Sequence, residues 1–217
     1  MSLRINDIAP DFTANSTNGE ISLHDWIGTG YAVLFSHPKD FTPVCTTEFG
    51  AVAQLAGEFE KRNTKVMGIS VDSVEDHQKW KKDIAEFAGA PANFPIIDDT
   101  SLKVAKLFDM LPAEAYMPDG RTAKDSQTVR TVFIIGPEKK VRLTMTYPMS
   151  VGRNFAEIIR AIDALQLTDS SPVATPANWQ PGKDVVVSGT LNNEQAREKF
   201  GEIEVKFPYL RLTKHKL

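Results

Sequence analysis

One thiol stands in 217 residues, in the stretch Pro38-Lys39-Asp40-Phe41-Thr42-Pro43-Val44-Cys45. A lone cysteine either packs as a small inert hydrophobe or, held as thiolate, serves as a nucleophile and a site of oxidation. Its placement bears on the choice. Just upstream, Tyr31 to Ser36 reads as a buried strand, short and apolar with no breaker before Pro38. Downstream, Phe49, Val52, Leu55, Ala56 and Phe59 recur at three-to-four spacing and predict one long amphipathic helix. Thr42 suits its N-cap and Pro43 its first residue, so Cys45 falls at the third helical position. There the backbone N–H has no intrahelical partner, and the positive end of the helix dipole favours thiolate over thiol. Cys45 also stands off the Phe49/Val52/Leu55 stripe, which weakens the inert reading. Position alone leaves the two readings evenly matched.

The elements that must hold this junction follow in alternation. Residues 8–23 carry turn signals at Asn15, Thr17, Asn18 and Gly19 and predict a leading hairpin. Thr64 to Val71 is a second strand. Val74 to Phe87 is a helix capped by Ser73, with Trp80, Ile84 and Phe87 on one face. Phe94 to Asp98 is a third strand with a proline near its start, and Leu102, Ala105, Lys106 and Leu107 predict a short helix. Residues 110–127, rich in Pro, Gly, Asp and Ala, read as a surface loop. Val129 to Ile135, a Gly136-Pro137 turn and Val141 to Tyr147 form a paired element, and Phe155 to Leu165 a closing helix.

This order is α/β with a mixed sheet: helical crossovers make the first strand pairs parallel, and the tight turn makes the last antiparallel. In such sheets reactive groups gather at the carboxyl ends of strands, where Pro38 to Cys45 lies. Thr168 to Pro172 reads as a linker. Asp184 to Ser188, a helix around Asn193 to Phe200, and Ile203 to Phe207 then make a small C-terminal α+β domain. The predicted division is 1–166 and 167–217. The second part is too small to fold well alone and is expected to pack on the first or on a partner subunit.

Composition narrows the function. A formal net charge of −3 gives no electrostatic footprint for nucleic acid or an anionic membrane. No apolar run approaches the roughly 18 residues of a membrane helix. The N-terminus has an early acid, Asp7, and no apolar run, so no signal peptide is expected. One cysteine excludes an intramolecular disulfide and a cysteine-rich zinc site, and a reducing, cytoplasmic setting follows as the expectation. His24, His77 and His215 are dispersed without metal-ligand spacing, so neither metal nor cofactor is expected.

The spacing Pro38-x-x-x-Thr42-x-x-Cys45 resembles the active-site motif of the peroxiredoxins, and Ser36 to Glu48 as a whole is similar to their 1-Cys subgroup. The similarity recurs along the chain, in Val74-Glu75-Asp76-His77, Phe94 to Asp99, Gly152-Arg153-Asn154-Phe155, Val173 to Trp179 and Tyr209-Leu210-Arg211. The resemblance implies a thioredoxin-like fold. It also implies a thiol peroxidase in which the Cys45 thiolate attacks hydrogen peroxide or an alkyl hydroperoxide and becomes a sulfenic acid. Thr42 would bond the peroxide and Pro38 would cover the sulfur. Arg130 would stabilise the thiolate and polarise the peroxide, held by ion pairing with Glu48 and Arg153. His37 matches a histidine near the sulfur. Relatives of this subgroup are homodimers, which implies a homodimer or higher oligomer with the C-terminal part reaching toward the partner.

Two departures matter. Some 1-Cys members carry a lipase-like Gly-Asp-Ser-Trp-Gly, but here Gly30 takes the serine position and Glu138 the aspartate's, with His24 retained. No phospholipase activity is expected by that route. And with no second cysteine, an external thiol or other reductant must reset Cys45, which leaves the sulfenic acid open to further oxidation. The alternative reading is a redox-responsive sensor or holdase without efficient turnover.

Overall fold

The computed structural model describes residues 3–116 and 126–215. The chain opens with the expected hairpin, β1 (Thr13–Ser16) against β2 (Gly19–Ser22), antiparallel. A short helix α1 (Leu23–Ile27) leads into β3 (Tyr31–Ser36), buried at every residue. The Cys45 helix starts at Pro43 as predicted, but it is two helices, α2 (Pro43–Gln54) and α3 (Ala56–Lys61). Leu55 between them sits at φ −91°, ψ 5°, in the sparsely populated bridge region. The apolar spacing runs across this break unchanged, so periodicity does not reveal it.

β4 (Thr64–Ser70), α4 (Val74–Ala88), β5 (Ile96–Asp98) and α5 (Lys103–Leu107) follow. Ser73 caps α4, its hydroxyl accepting from the Asp76 N–H. Trp80 and Ile84 are buried on α4 as expected, with His77 beside them, but Phe87 is exposed. It lies over Gly50, where no side chain rises to bury it. The loop expected over 110–127 lies in part outside the described residues; Ala113–Tyr116 in its first part is a 3₁₀ turn. β6 (Arg130–Ile135) and β7 (Val141–Tyr147) make the expected antiparallel pair.

Among the described residues, seven strands form one mixed sheet in the order β2-β1-β5-β4-β3-β6-β7. β3 with β4 and β4 with β5 are parallel, whereas β6 runs antiparallel to β3. Central β3 and β6 are buried throughout, with apolar runs over Tyr31 to Phe35 and Val132 to Ile135, while β7 at the edge alternates. The pairing of Phe35 with Val132 brings the start of β6 beside the chain leaving β3. Arg130 is thereby delivered to the sheet end that carries His37 and Pro38. Ser36 fastens the two: its hydroxyl donates to the Val129 carbonyl at 2.5 Å and accepts from the Thr131 N–H at 3.0 Å.

The chain divides into two compact units, 1–155 and 156–217. Helix α6 (Phe155–Ser170), expected to close the first domain at residue 166, therefore belongs almost wholly to the second unit. It also runs through Thr168-Asp169-Ser170, where a linker was expected, and stops only ahead of Pro172. The second unit adds β8 (Val173–Ala174), β9 (Val185–Val187), α7 (Asn193–Phe200), β10 (Glu204–Phe207) and β11 (Leu210–Thr213). Its four described strands form an antiparallel sheet, β10-β11-β9-β8. Trp179, Leu167, Val173 and Val185 make its core. Strand β11, absent from the sequence reading, is short and alternates in burial.

Candidate active site

Cys45 is the third residue of α2 and fully buried. Glu48, three residues on, lies on the same helix face. Arg130, the first residue of β6, reaches both: its Nη1 lies 3.4 Å from Cys45 Sγ and 2.7 Å from Glu48 Oε2. Its Nε donates to the Met149 carbonyl at 2.7 Å, which fixes the plane of the guanidinium. Arg153 closes the cluster from the other side. Its Nε and Nη2 donate to the two Glu48 oxygens at 2.9 and 2.7 Å, and its backbone N–H adds a third bond to Oε1 at 2.8 Å. Its Nη1 donates to the Ser36 and Thr131 carbonyls, tying the cluster to β3 and β6.

Burial pushes the Glu48 carboxyl up, but the hydrogen bonds and charge of Arg153, with Arg130 behind them, hold it below the ordinary carboxylate range. Burial also draws the Arg153 guanidinium down, opposed by Glu48. Both guanidiniums remain charged at neutral pH. The sulfur thus faces a fixed positive donor, aimed by a carboxylate that is itself aimed by a second arginine.

The loop before α2 is strained. Phe41 is held at φ 55°, a left-handed conformation bulky residues rarely adopt, with its ring half exposed. Thr42 takes the N-cap backbone position, but its hydroxyl does not cap the helix as predicted; it donates to the Lys39 carbonyl at 2.9 Å. Pro38 is buried.

His37 is drawn into a different cluster. Its Nε2 lies 2.7 Å from Asp40 Oδ1, and His77 Nδ1 lies 2.6 Å from Asp40 Oδ2, all three residues being buried. The His37 ring stacks on Trp80 at 5.1 Å and meets the edge of Phe49 at 4.6 Å. Burial pushes His37 below the ordinary histidine value despite its contact with Asp40. Burial pushes Asp40 up, but the hydrogen bonds from His37 and His77 outweigh it and leave the carboxyl below its usual range. Two histidines and a carboxylate also suggest a cation. The N-to-O separations of 2.6 and 2.7 Å are those of hydrogen bonds, however. A tetrahedral cation at about 2.0–2.1 Å from each ligand would hold its ligand atoms roughly 3.3 Å apart. Protons fit these gaps and a metal does not.

Known proteins match the chain along nearly its whole length. The profile of the AhpC/TSA family matches residues 5–144, and that of the C-terminal domain of 1-Cys peroxiredoxin matches residues 164–202. "Peroxiredoxin PRX1, mitochondrial" of Saccharomyces cerevisiae is 52% identical over 99% of this chain and 82% of its own length. The chain belongs to the AhpC/TSA family, in its 1-Cys peroxiredoxin branch.

Among solved structures, a cysteine-to-serine mutant of the peroxiredoxin 6 of Arenicola marina superposes with a TM-score of 0.90 at 44% identity, covering 98% of each chain. A yeast mitochondrial 1-Cys peroxiredoxin, solved for its thiol resolving mechanism via glutathione/thioredoxin systems, gives 0.88 at 50% identity over 98% of this chain and all of its own. The mixed sheet is accordingly a thioredoxin-like one. This peroxiredoxin is a thiol peroxidase of the 1-Cys type, and Cys45 is its one cysteine. Peroxide is its substrate and a thiol its reductant.

One expectation is overturned. A cytoplasmic setting was inferred from the single cysteine, but the yeast relative at 52% identity is mitochondrial. Thiol count reports redox poise, and a reducing compartment is not necessarily the cytoplasm.

Of the residues predicted from sequence, Cys45, Glu48, Arg130 and Arg153 come together, while His37 joins Asp40 and His77. The sequence reading missed Asp40 and His77. The available signal was His77 three residues before buried Trp80 on α4, on the face that packs inward. At Gly30, a Cβ would fall 2.5 Å from the Asn63 carbonyl oxygen, so no serine side chain fits there without a backbone shift. Among the described residues, no helix is long and apolar enough to cross a membrane.

Proposed function

We propose that Cys45 is the nucleophile of hydroperoxide reduction and that Arg130 is its principal electrostatic partner. The observation that carries this reading is the Arg130 guanidinium, 3.4 Å from Sγ and held there by Glu48. The sulfur attacks the terminal peroxide oxygen and the O–O bond breaks. Sulfur is oxidised to the sulfenic acid, and the leaving oxygen departs as water or alcohol with the proton the thiol gave up. Arg130 lowers the cost of negative charge first on sulfur and then on the transferring oxygens. The first-turn N–H groups of α2 assist. Thr42 orients the peroxide and Pro38 excludes water, while Glu48 and Arg153 position Arg130. An external thiol then reduces the sulfenic acid, since the chain has no second cysteine.

Stopped-flow measurement of Cys45 oxidation tests the reading. Cys45→Ser should abolish turnover. Arg130→Lys, which keeps charge but loses the fork, should slow oxidation about 10²-fold, the loss typical of one removed oxyanion donor. Oxidation no faster than that of a free thiol, or full activity in Cys45→Ser, would sink it.

We further propose a homodimer with residues 167–217 associated with the partner. Phe207 and Tyr209 support it: the two rings stack at 5.4 Å on the β10–β11 hairpin and stay 53% and 82% exposed. Light scattering that gives a monomer at micromolar concentration removes this part of the proposal.

A further inference from the structure

A second concavity opens at the end of the sheet away from Cys45. β3 and β4 run parallel, so the first residues of β4 lie at the sheet end opposite to the one that carries His37 and Pro38. The cleft follows the helix break at Leu55. Val52 from the last turn of α2 and Ala56 and Phe59 from α3 meet Val66 of β4 and the ring of Phe94, around a space of about 320 Å³.

Its walls are apolar for reasons of register and packing. On β4, Gly68 faces Phe49 of α2, so Val66, two residues earlier, turns its side chain to the same helical layer. Phe94 lays its ring near Phe49 at 5.5 Å and Phe35 at 6.1 Å, and the rest of it is only partly covered. Val52 and Phe59 form a floor almost closed to solvent, whereas Ala56, at the break, is exposed and contributes a single methyl group.

The charges at the mouth do not balance. Glu60 of α3 lines the cleft and is exposed, and among the described residues its carboxylate has neither a hydrogen bond nor an ion pair. The cations around it are engaged elsewhere. Lys61 and Arg62 both pair with Glu58, at 2.6 and 2.8 Å. Lys65, also on the lining, donates to the Trp26 carbonyl and lies 5.6 Å from the centre of that ring. Lys81 donates to the Phe94 carbonyl from α4 and does not line the cleft.

We propose that this cleft binds a small hydrophobic amine, with a ring or short alkyl chain against Val52, Phe59, Val66 and Phe94 and its ammonium on Glu60. The volume lies at the lower end of the range for small-ligand pockets, about 300–1,000 Å³. It admits one ring or one short chain and is too small for a helix about 10 Å across. Apolar contact supplies the affinity, and the uncommitted carboxylate selects the sign of the head group. Nothing in this site depends on the reading of Cys45.

The test is an NMR titration of the intact ¹⁵N-labelled chain with n-hexylamine, n-hexanol and hexanoate, which share one chain and differ in head group. Saturable amide shifts should cluster at the α2–α3 break, the start of β4 and Phe94. Hexylamine should bind about five-fold more tightly than hexanol, the upper end for an exposed ion pair, and hexanoate most weakly. Glu60→Gln should bring hexylamine to the affinity of hexanol, and high salt should do the same in the wild type. Ala56→Leu, which puts a branched side chain into the cleft from an exposed position, should abolish saturable binding of all three. Glu60→Gln changes only an exposed side chain, so it keeps the test decisive if Ala56→Leu fails to fold. Absence of saturable shifts at the cleft, equal affinity for amine and alcohol, or an amine preference that survives Glu60→Gln would each overturn the proposal. Unchanged binding in a folded Ala56→Leu would do so as well.

Discussion

Two buried clusters flank the start of α2, and both are built on one plan: a carboxylate bridging two basic side chains. Glu48 bridges Arg130 and Arg153, whereas Asp40 bridges His37 and His77. The bases differ in one property. Guanidiniums do not release protons in the accessible pH range, so the first cluster has a fixed net charge of plus one before the sulfur is counted. Imidazoles do release them, so the second cluster can adjust its charge to whatever its carboxylate needs. A fixed field suits the stabilisation of a thiolate. The arginine cluster should therefore be brittle to loss of its carboxylate and insensitive to pH near neutrality, and the histidine cluster the reverse.

Removing each carboxylate is the strongest way to break this contrast. Glu48→Gln leaves two buried guanidiniums short of an anion, and breaking a buried pair in this way costs about 3–5 kcal/mol. Asp40→Asn should cost less, about 1–3 kcal/mol, because an imidazole, unlike a guanidinium, need not be left as a stranded charge. Urea unfolding of both variants at neutral pH measures the difference. Equal losses would remove the distinction between fixed and adjustable charge.

Phe49 offers a subtler cut, since its ring meets His37 directly and Arg153 only through Phe35. Its ring touches His37 and lies 4.7 Å from Trp80, and Gly68 of β4 leaves it the space. A Cβ at Gly68 would lie 2.7 Å from the ring. The ring is walled in by Phe35 at 4.8 Å and Phe94 at 5.5 Å and has nowhere to go. Gly68→Ala should destabilise by about 1–3 kcal/mol, the usual cost of overpacking. It should also perturb the ¹⁵N signals of His37 more than the side-chain signals of Arg153, which feels Phe49 only through Phe35. Shifts confined to the arginines would show that the packing is wired differently.

How much of this was legible beforehand follows from the range of the forces involved. The strand before Pro38, the N-cap position and the third-position cysteine are set within a few residues, and local pattern gives them correctly. The parallel and antiparallel pairings follow from connection length, so they too could be read. The roles of Arg130, Glu48 and Arg153 were available only through resemblance, because nothing local distinguishes Arg130 from a solvated strand-end arginine. Their meeting depends on the register of β6 against β3. His77 and Asp40 are 37 residues apart and meet only because α4 lies against α2. Leu55 and the end of α6 failed for the opposite reason: the apolar spacing crosses the first unchanged, and the polar residues at the second are as acceptable on a helix's wet face as in a linker.

The smallest effect separates the clusters by pH alone. In the unfolded chain His37 takes up a proton as pH falls through about 6.5, whereas burial keeps it neutral in the native state to lower pH. Below that point the unfolded state binds more protons, so native stability falls as the solution is acidified, by at most about 1.4 kcal/mol per pH unit. The contribution of His37 is fully present above about pH 6.5 and is lost on the way down to its folded value. Glu48 and Asp40, both held below the ordinary range, are ionised in both states throughout this window. Their stabilisation is lost only as pH falls below about 4.3 toward their folded values. Unfolding free energies measured at about pH 7, 6 and 5 should therefore decline mainly over the last step, and His37→Gln should flatten that decline. If the decline persists unchanged in His37→Gln, the acid sensitivity arises elsewhere and the histidine cluster is no more adjustable than the arginine one.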